Sequence, residues 1–162
     1  MLGHESGHQP RVGKATGTEF GSLFRGLAQE GRFAYNSAPP GRAIVTFRQL
    51  TQNPAATGAF AHAVQVALFR DGLDLNECTT YNPLLIPFGV EAALLQQQLA
   101  ASEAARATAQ EFAAGVRIGG RGLPTCVVRL GDQGYVLSRG FLPYAPVRQG
   151  QGLEQLLAGQ EA

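Results

Sequence analysis

The sequence predicts an α/β protein in which helices come first and a β-hairpin and a last helix follow. Apolar residues recur at helical spacing between residues 38 and 117, and glycine and proline punctuate that region. Two β-rich runs then follow a glycine-rich bend at Gly119–Thr125. A chain of 162 residues suits one domain and is long enough to bury a core.

The glycine-rich bend leads into the predicted hairpin. Its glycines can take positive φ where the chain leaves a helix and reverses. Pro124 has no N–H, so it suits the first position of a strand. The predicted strands are Thr125–Leu130 and Tyr135–Arg139, and Gly131–Gly134 is the loop between them.

Capping signals predict the first two of four helices upstream of the bend. Ser37 is a candidate N-cap, with prolines in the turn that follows it. Asn53-Pro54 begins the next helix, and Asp71-Gly72 ends it. The apolar positions of these two helices are Ile44, Phe47, Leu50, Phe60, Val64 and Leu68.

Two further helices are predicted from about 90 to 100 and from about 103 to 116, and a last one from about 146 to 157. Residues 21–37 look irregular because three glycines interrupt them, and residues 73–89 look like a loop with one short helix. The expected apolar positions are Leu94, Leu95, Leu99, Phe112, Val116, Val147, Leu153, Leu156 and Leu157.

Composition excludes several classes of function. The net charge is +1, which gives no electrostatic case for nucleic acid or for an anionic membrane as a partner. No apolar run is long enough to span a bilayer, and the polar N-terminus lacks a signal-peptide core. These observations predict a cytoplasmic protein.

The two cysteines carry no recognisable catalytic or metal-binding motif. Cys78 and Cys126 are far apart, and neither belongs to a Cys-x-x-Cys or to a zinc-finger spacing. We interpret each as a small apolar residue. A disulfide between them is disfavoured in a reducing compartment.

A zinc-protease motif is matched in form at the N-terminus by His4-Glu5-Ser6-Gly7-His8. Both histidines would have to lie on one face of a stable helix, and the nearby glycines and Pro10 weaken such a helix. His62 is the one remaining histidine, and it lies off the apolar stripe of its helix. The sequence therefore predicts no metal and no cofactor.

The bend and hairpin carry a family resemblance. Val116–Thr125, the hairpin, and then Gly140–Tyr144 are similar to the C-terminal half of DsbA-like thioredoxin-fold proteins, which are thiol–disulfide oxidoreductases and protein disulfide isomerases. The resemblance extends back to about His8 and implies an incomplete thioredoxin-like fold with a four-helix insertion. It divides the chain into a connector at 1–17, a mainly helical insertion domain at 18–117, and the C-terminal half of a thioredoxin-like domain at 118–162.

The same resemblance implies a substrate-binding element. In the family this loop carries a cis-proline beside the redox dithiol, which places Gly122, Leu123 and Pro124 in a substrate-binding role. The residue before such a proline can offer its backbone N–H and C=O to an extended peptide by strand addition. Peptide or protein thiol substrates are therefore the expected partners.

The family's N-terminal strand, Cys-x-x-Cys helix and second strand have no counterpart in this sequence, so no catalytic residue is assigned. The resemblance then implies a truncated, redox-incompetent chain, because a thiolate must attack a disulfide and a second cysteine must resolve the product. The sheet edge that the absent strands would cover is expected to be exposed, which favours a homo-oligomer.

Two other functions remain open at the level of sequence. One is a non-catalytic thioredoxin-like binding or scaffold protein, which the lack of a nucleophile and base favours. The other is a relative of glutathione-dependent isomerases, which use a serine in place of the first cysteine, at a position that this chain also lacks. The DNA upstream of Met1 separates them: a Cys-x-x-Cys, a serine variant of it, or neither.

Overall fold

The structure, a computed structural model, describes residues 8–30, 34–118 and 124–143. The chain divides into two compact units, Met1–Ala109 and Gln110–Ala162. The helices of the described part are α1 His8–Thr16, α2 Ser22–Glu30, α3 Ala38–Thr51, α4 Pro54–Phe69, α5 Asn82–Leu85, α6 Ala92–Ala100 and α7 Ser102–Arg117. The strands are β1 Thr125–Leu130 and β2 Gln133–Arg139, and short 3-10 turns occupy Cys78–Tyr81 and Ile86–Phe88.

The N-terminus of α4 has the predicted cap. Asn53 has an extended backbone, and its side-chain oxygen accepts the N–H of Ala56 at 3.1 Å. Pro54 follows as the first helical residue, where its missing N–H costs no hydrogen bond. The helix ends at Phe69, and Gly72 turns the chain with φ +64°.

Ser37 precedes α3 as predicted, but its side chain makes no capping hydrogen bond. Its backbone lies in the helical region, with φ −80° and ψ −11°, whereas a side-chain cap normally needs an extended residue. The side chain of Asn36 instead accepts the N–H of Ala38 at 3.0 Å. The prediction that Ser37 acts as a side-chain cap is therefore wrong.

This difference gives the first testable prediction. Asn53→Ala removes an acceptor from an otherwise unpartnered helical N–H, so we expect it to lower the free energy of unfolding by about 1 kcal/mol. Ser37→Ala removes no such bond and should change it by less than about 0.5 kcal/mol. Urea unfolding followed by far-ultraviolet circular dichroism measures both, and equal losses in the two variants would contradict the assignment.

The core of the first unit is aromatic and aliphatic. Phe47 of α3 stacks on Phe60 of α4 with ring centroids 4.3 Å apart, and Phe88 packs edge-on against Phe47 at 5.1 Å. The apolar stripe predicted for α4 is confirmed, because Phe60, Val64 and Leu68 are all buried. The buried cluster is Phe24, Ala43, Phe47, Phe60, Val64, Ala67, Leu68, Leu75, Tyr81, Leu85, Leu95 and Leu99.

The irregular structure predicted for residues 21–37 is wrong over Ser22–Glu30, which forms α2. Phe24 on this helix is buried and lies in a second aromatic group with Phe20 and Phe69, at 5.9 and 5.1 Å. Glycine disfavours a helix by only about 1 kcal/mol per residue. Burial of Phe24 offsets that cost, so Gly26 lies within the helix.

The later helices begin and end close to the predicted bounds, but their apolar faces are narrower than expected. Leu95 and Leu99 of α6 are buried, whereas the neighbouring Leu94 is 43% exposed. Phe112 and Val116 of α7 are exposed as well. Residues 73–89, predicted to hold one short helix, contain α5 and two 3-10 turns.

Residues 8–16, predicted to be part of a connector, form the short helix α1. No helix in the described part of the chain is long and apolar enough to cross a membrane. The last predicted helix, about 146 to 157, lies outside the described residues.

Candidate functional site: the proline at the start of β1

Pro124 lies immediately before β1, as the sequence predicts. It is exposed, and its carbonyl oxygen accepts the N–H of Gly140 at 2.8 Å. Gly140, just beyond the end of β2, has φ +90°, a conformation that glycine adopts without strain. The hydrogen bond extends the β1–β2 ladder by one step, so it fixes the backbone of Pro124 to the sheet.

Of the three predicted substrate-binding residues, the structure places Pro124 alone. Gly122 and Leu123 lie outside the described residues, and their role stays a prediction. Gly140 was not identified from the sequence as part of this site. The signal for it was a glycine directly after the last residue of a predicted strand, opposite the proline that begins the other strand.

The hairpin is tighter than predicted. Leu130 pairs with Gln133, so the loop is the two residues Gly131 and Asp132, and β2 begins at Gln133 rather than at Tyr135. Gly131 has φ +59° and Asp132 does not have positive φ, as in a type II′ turn with glycine first. The loop therefore has two residues, and the prediction of four was wrong. A type II′ turn is favoured in a hairpin because its twist matches the twist of the flanking strands.

A β-bulge lies close to the proline. Cys126 pairs with Ser138 and Val127 pairs with Val136, so Leu137 is an extra residue on β2. A bulge increases local twist and is common beside sites where a strand must redirect its side chains. The bulged residue, Leu137, lies opposite the step from Cys126 to Val127, near the start of β1. Regular pairing then continues from Val127 to the turn.

The two cysteines lie in different parts of the chain. Cys78 is exposed and begins a 3-10 turn of the first unit, while Cys126 is half-buried in β1 of the second. Both are free thiols. Since neither has a second cysteine within a few residues, the sequence offers no adjacent pair for dithiol exchange.

A buried phenol, that of Tyr81, lies near Cys78. Tyr81 is buried and donates its hydroxyl to the carbonyl of Leu75 at 2.6 Å. Burial raises the pKa of Tyr81 well above its usual value, and the nearby charges of Cys78 and Asp74 raise it further. Cys78 therefore lies close to a phenol that stays protonated at neutral pH.

A metal centre has no support in the described residues. Among them, no group of three histidine, cysteine, aspartate or glutamate side chains is placed to hold an ion. Most of the zinc-protease match at the N-terminus lies outside the described residues, although His8 begins α1. His62 is exposed on α4, consistent with its prediction as a surface residue.

Helices followed by a proline-led strand and a hairpin are shared with solved structures of the thioredoxin-like fold. A crystal structure of a candidate protein disulfide isomerase from Nitrosomonas europaea matches with a TM-score of 0.79 and 22% identity, over 95% of this chain and 72% of that one. The cytosolic disulfide reductase DsbM from Pseudomonas aeruginosa matches with a TM-score of 0.70 and 24% identity, over 99% of this chain and 76% of DsbM.

The same reductase with GSH matches with a TM-score of 0.66 and 24% identity, over 97% of this chain and 75% of that one. No family model matches the sequence, and no curated protein is a significant match to it. The likeness therefore establishes the fold. It confirms the predicted α/β class with a thioredoxin-like arrangement of helices and hairpin.

Proposed function

We propose that this chain is a DsbA-like thiol–disulfide oxidoreductase homologue that recognises extended peptides beside Pro124 but does not itself catalyse dithiol exchange. The observation that carries the proposal is the position of Pro124, anchored to Gly140 at the start of β1 within a thioredoxin-like fold. The proposal assigns no catalytic activity to the chain, because neither Cys78 nor Cys126 has a neighbouring cysteine to resolve a mixed disulfide.

The chemistry explains why the second thiol matters. A thiolate attacks one sulfur of a substrate disulfide, which forms a mixed disulfide and releases the other sulfur as a thiolate. A second protein thiolate then attacks the protein sulfur of that bond, which releases the reduced substrate and leaves the protein oxidised. With one cysteine per unit, the reaction would stop at the mixed disulfide unless an external thiol completed it.

Peptide recognition needs a fixed backbone rather than a nucleophile. An extended peptide pairs with backbone N–H and C=O groups, which bind best when their positions are set before the peptide arrives. The hydrogen bond from Gly140 to Pro124 holds the backbone of Pro124 in a fixed position at the start of β1. Leu123, the residue before the proline, is proposed to supply the pairing groups, and Gly122 to permit close approach of the peptide.

We expect the purified chain to be inactive in thiol–disulfide exchange. The assay follows reduction of a disulfide-bonded protein with glutathione as the external thiol, and the native chain, Cys78→Ser and Cys126→Ser should all give the rate of the buffer alone. Activity in the native chain that one of the two substitutions abolishes would contradict the proposal, since it would assign a monothiol mechanism to that cysteine.

We expect binding of an unfolded chain to depend on Pro124. The probe is a fluorescently labelled, reduced and carboxymethylated protein, and anisotropy measures its affinity. Pro124→Ala should weaken binding by about tenfold, since the loop loses its fixed φ, whereas Pro143→Ala, at another exposed proline, should leave it unchanged. Equal effects of both substitutions, or no binding by the native chain, would contradict peptide recognition at Pro124.

A non-catalytic binding protein is the second candidate, and the lack of a nucleophile with a base in the described residues favours it. A relative of the glutathione-dependent isomerases is the third. The DNA upstream of the Met1 codon tests both against the first: it would encode a strand and Cys-x-x-Cys helix, a serine variant, or neither.

The proposal includes a cytoplasmic location. The two free cysteines support a reducing compartment. Fractionation of cells that express the tagged chain tests this, and recovery in an oxidising compartment would contradict it.

A further inference from the structure

Two buried polar groups of α3 have no hydrogen-bond partner in the described part of the chain. They are the hydroxyl oxygen of Thr46 and the Nε atom of Arg42, and both atoms are enclosed. Thr46 as a residue is 1% exposed, whereas the side chain of Arg42 is half-buried. A buried donor without an acceptor is costly, so folded proteins seldom contain one without a reason.

The Thr46 hydroxyl differs from those of the other threonines in the described α-helices. Each of those hydroxyls donates to the carbonyl oxygen four residues earlier, as is seen for Thr16, Thr51, Thr57 and Thr108. Such a bond satisfies a helical threonine without any tertiary contact. Thr46 lies inside α3 and makes no bond of this kind, so its hydroxyl is available to another acceptor.

The two groups are neighbours on one face of the helix. Arg42 and Thr46 are four residues apart in α3, a spacing that places side chains one above the other. The Nε–H of arginine is a donor, and the hydroxyl of threonine can donate as well. A carboxylate suits both, because it accepts two parallel bonds from a guanidinium and has further lone pairs for the hydroxyl.

The positive charge of Arg42 is not balanced by the helices around it. The helix α3 packs on α4 and α6, and none of these three helices contains an aspartate or a glutamate. Glu91, the N-cap residue of α6, is exposed and forms no ion pair with Arg42. A partly buried cation needs an anion to compensate its lost hydration, so a charged acceptor suits this position better than a neutral one.

We infer that Arg42 and Thr46 form a binding site for a carboxylate group. Arg42 holds the carboxylate through its guanidinium N–H groups, and the Thr46 hydroxyl donates a further hydrogen bond to it. Because both donor atoms are enclosed, the ligand enters when the flexible Arg42 side chain changes rotamer. A site opened in this way admits a small carboxylate or the carboxylate at the end of one acidic side chain.

Titration with sodium acetate tests the inference, with sodium chloride at equal ionic strength as the reference. The NMR signals of the Arg42 Nε–H and of the α3 backbone N–H groups report binding. Acetate should shift them saturably, with a dissociation constant on the order of millimolar, because a single ion pair near the surface is weak. Arg42→Lys keeps the charge but lacks the planar donors, and it should weaken acetate binding by about tenfold.

Thr46→Val keeps the shape of the side chain and removes its hydroxyl. We expect it to weaken acetate binding by about fivefold, the effect of one lost hydrogen bond. In the absence of acetate it should unfold at a higher urea concentration than the native chain, because an unpartnered buried hydroxyl has been removed. The matched control on the same helix is Thr51→Val, whose hydroxyl donates to the carbonyl of Phe47 at 2.9 Å. This control should leave acetate binding unchanged and should not raise the urea midpoint.

Two blocked tripeptides, Ac-Ala-Glu-Ala-NH₂ and Ac-Ala-Gln-Ala-NH₂, identify the source of the carboxylate. Saturable shifts with acetate alone would assign the site to small molecules, and shifts with the glutamate peptide but not the glutamine peptide would assign it to an acidic side chain. Either result supports the inference. Shifts with neither acetate nor the glutamate peptide, or equal acetate binding by the native chain and Thr46→Val, would overturn it.

Discussion

Phe47→Ala is expected to lower the free energy of unfolding of the helical unit by about 3–5 kcal/mol. The side chain is fully buried, and its ring stacks on Phe60 at 4.3 Å with an interplanar angle of 10°. Phe88 closes the group at 5.1 Å from Phe47 and 6.1 Å from Phe60. Truncation leaves a cavity that two rigid rings cannot fill by changing rotamer, so both the transfer free energy and the packing are lost.

The control is Phe112→Ala, which makes the same truncation in the second unit, on a side chain that is 46% exposed. We expect it to change the free energy of unfolding by less than about 0.5 kcal/mol, because it opens no enclosed cavity. Urea titration followed by far-ultraviolet circular dichroism measures both variants. If Phe47→Ala unfolds at the same urea concentration as the native chain, the stacked pair is not the centre of this core.

Gly21→Ala is expected to destabilise the same unit by about 3 kcal/mol, although it adds one methyl group. A Cβ at this position would lie 1.7 Å from the carbonyl oxygen of Arg70 and 2.6 Å from its carbonyl carbon. The N–H of Gly21 also donates to the carbonyl of Phe69 at 2.9 Å. Both neighbours are backbone atoms, so the contact is relieved only if the start of α2 moves away from the end of α4.

Gly26→Ala, within the helix α2 that follows Gly21, provides the control. A Cβ at Gly26 meets nothing within 4 Å, and alanine is a better helix former than glycine, so we expect a gain of about 0.5–1 kcal/mol. The two substitutions thus have opposite signs although their chemistry is identical. Thermal unfolding midpoints compare them directly, and a neutral Gly21→Ala would show that α2 does not approach α4 as closely as the structure has it.

The helical region shows which features can be predicted from local sequence signals. Asn53-Pro54 and the stripe Phe60, Val64 and Leu68 predicted α4 from a cap and a period, and all of these features are found. Such signals depend on the residues of the helix itself. The helix α2 was missed because its glycines indicated a break, whereas burial of Phe24 against Phe20 and Phe69 stabilises it. That contact involves residues far apart in the chain.

The candidate site also combines a feature that the sequence predicts with features that it does not. Pro124 was identified from the sequence because a residue without an N–H is favoured at the first position of a strand, and the resemblance gave it a role. The hydrogen bond from Gly140, the two-residue turn at Gly131 and the bulge after Cys126 depend on the register between two strands. Register is set by turn geometry and side-chain packing, which the residues of one strand do not specify alone.

The sequence by itself determined the α/β class, the order of the later helices and the hairpin, and the proline that begins β1, because caps, apolar periods and proline chemistry act over a few neighbouring residues. The tertiary structure decided which side of each helix is buried, as Leu94 and Leu95 show with exposed fractions of 43% and 0%. It also decided the register between β1 and β2, with Leu137 as the bulged residue. These features depend on contacts between elements, whose free energies appear only when the elements meet.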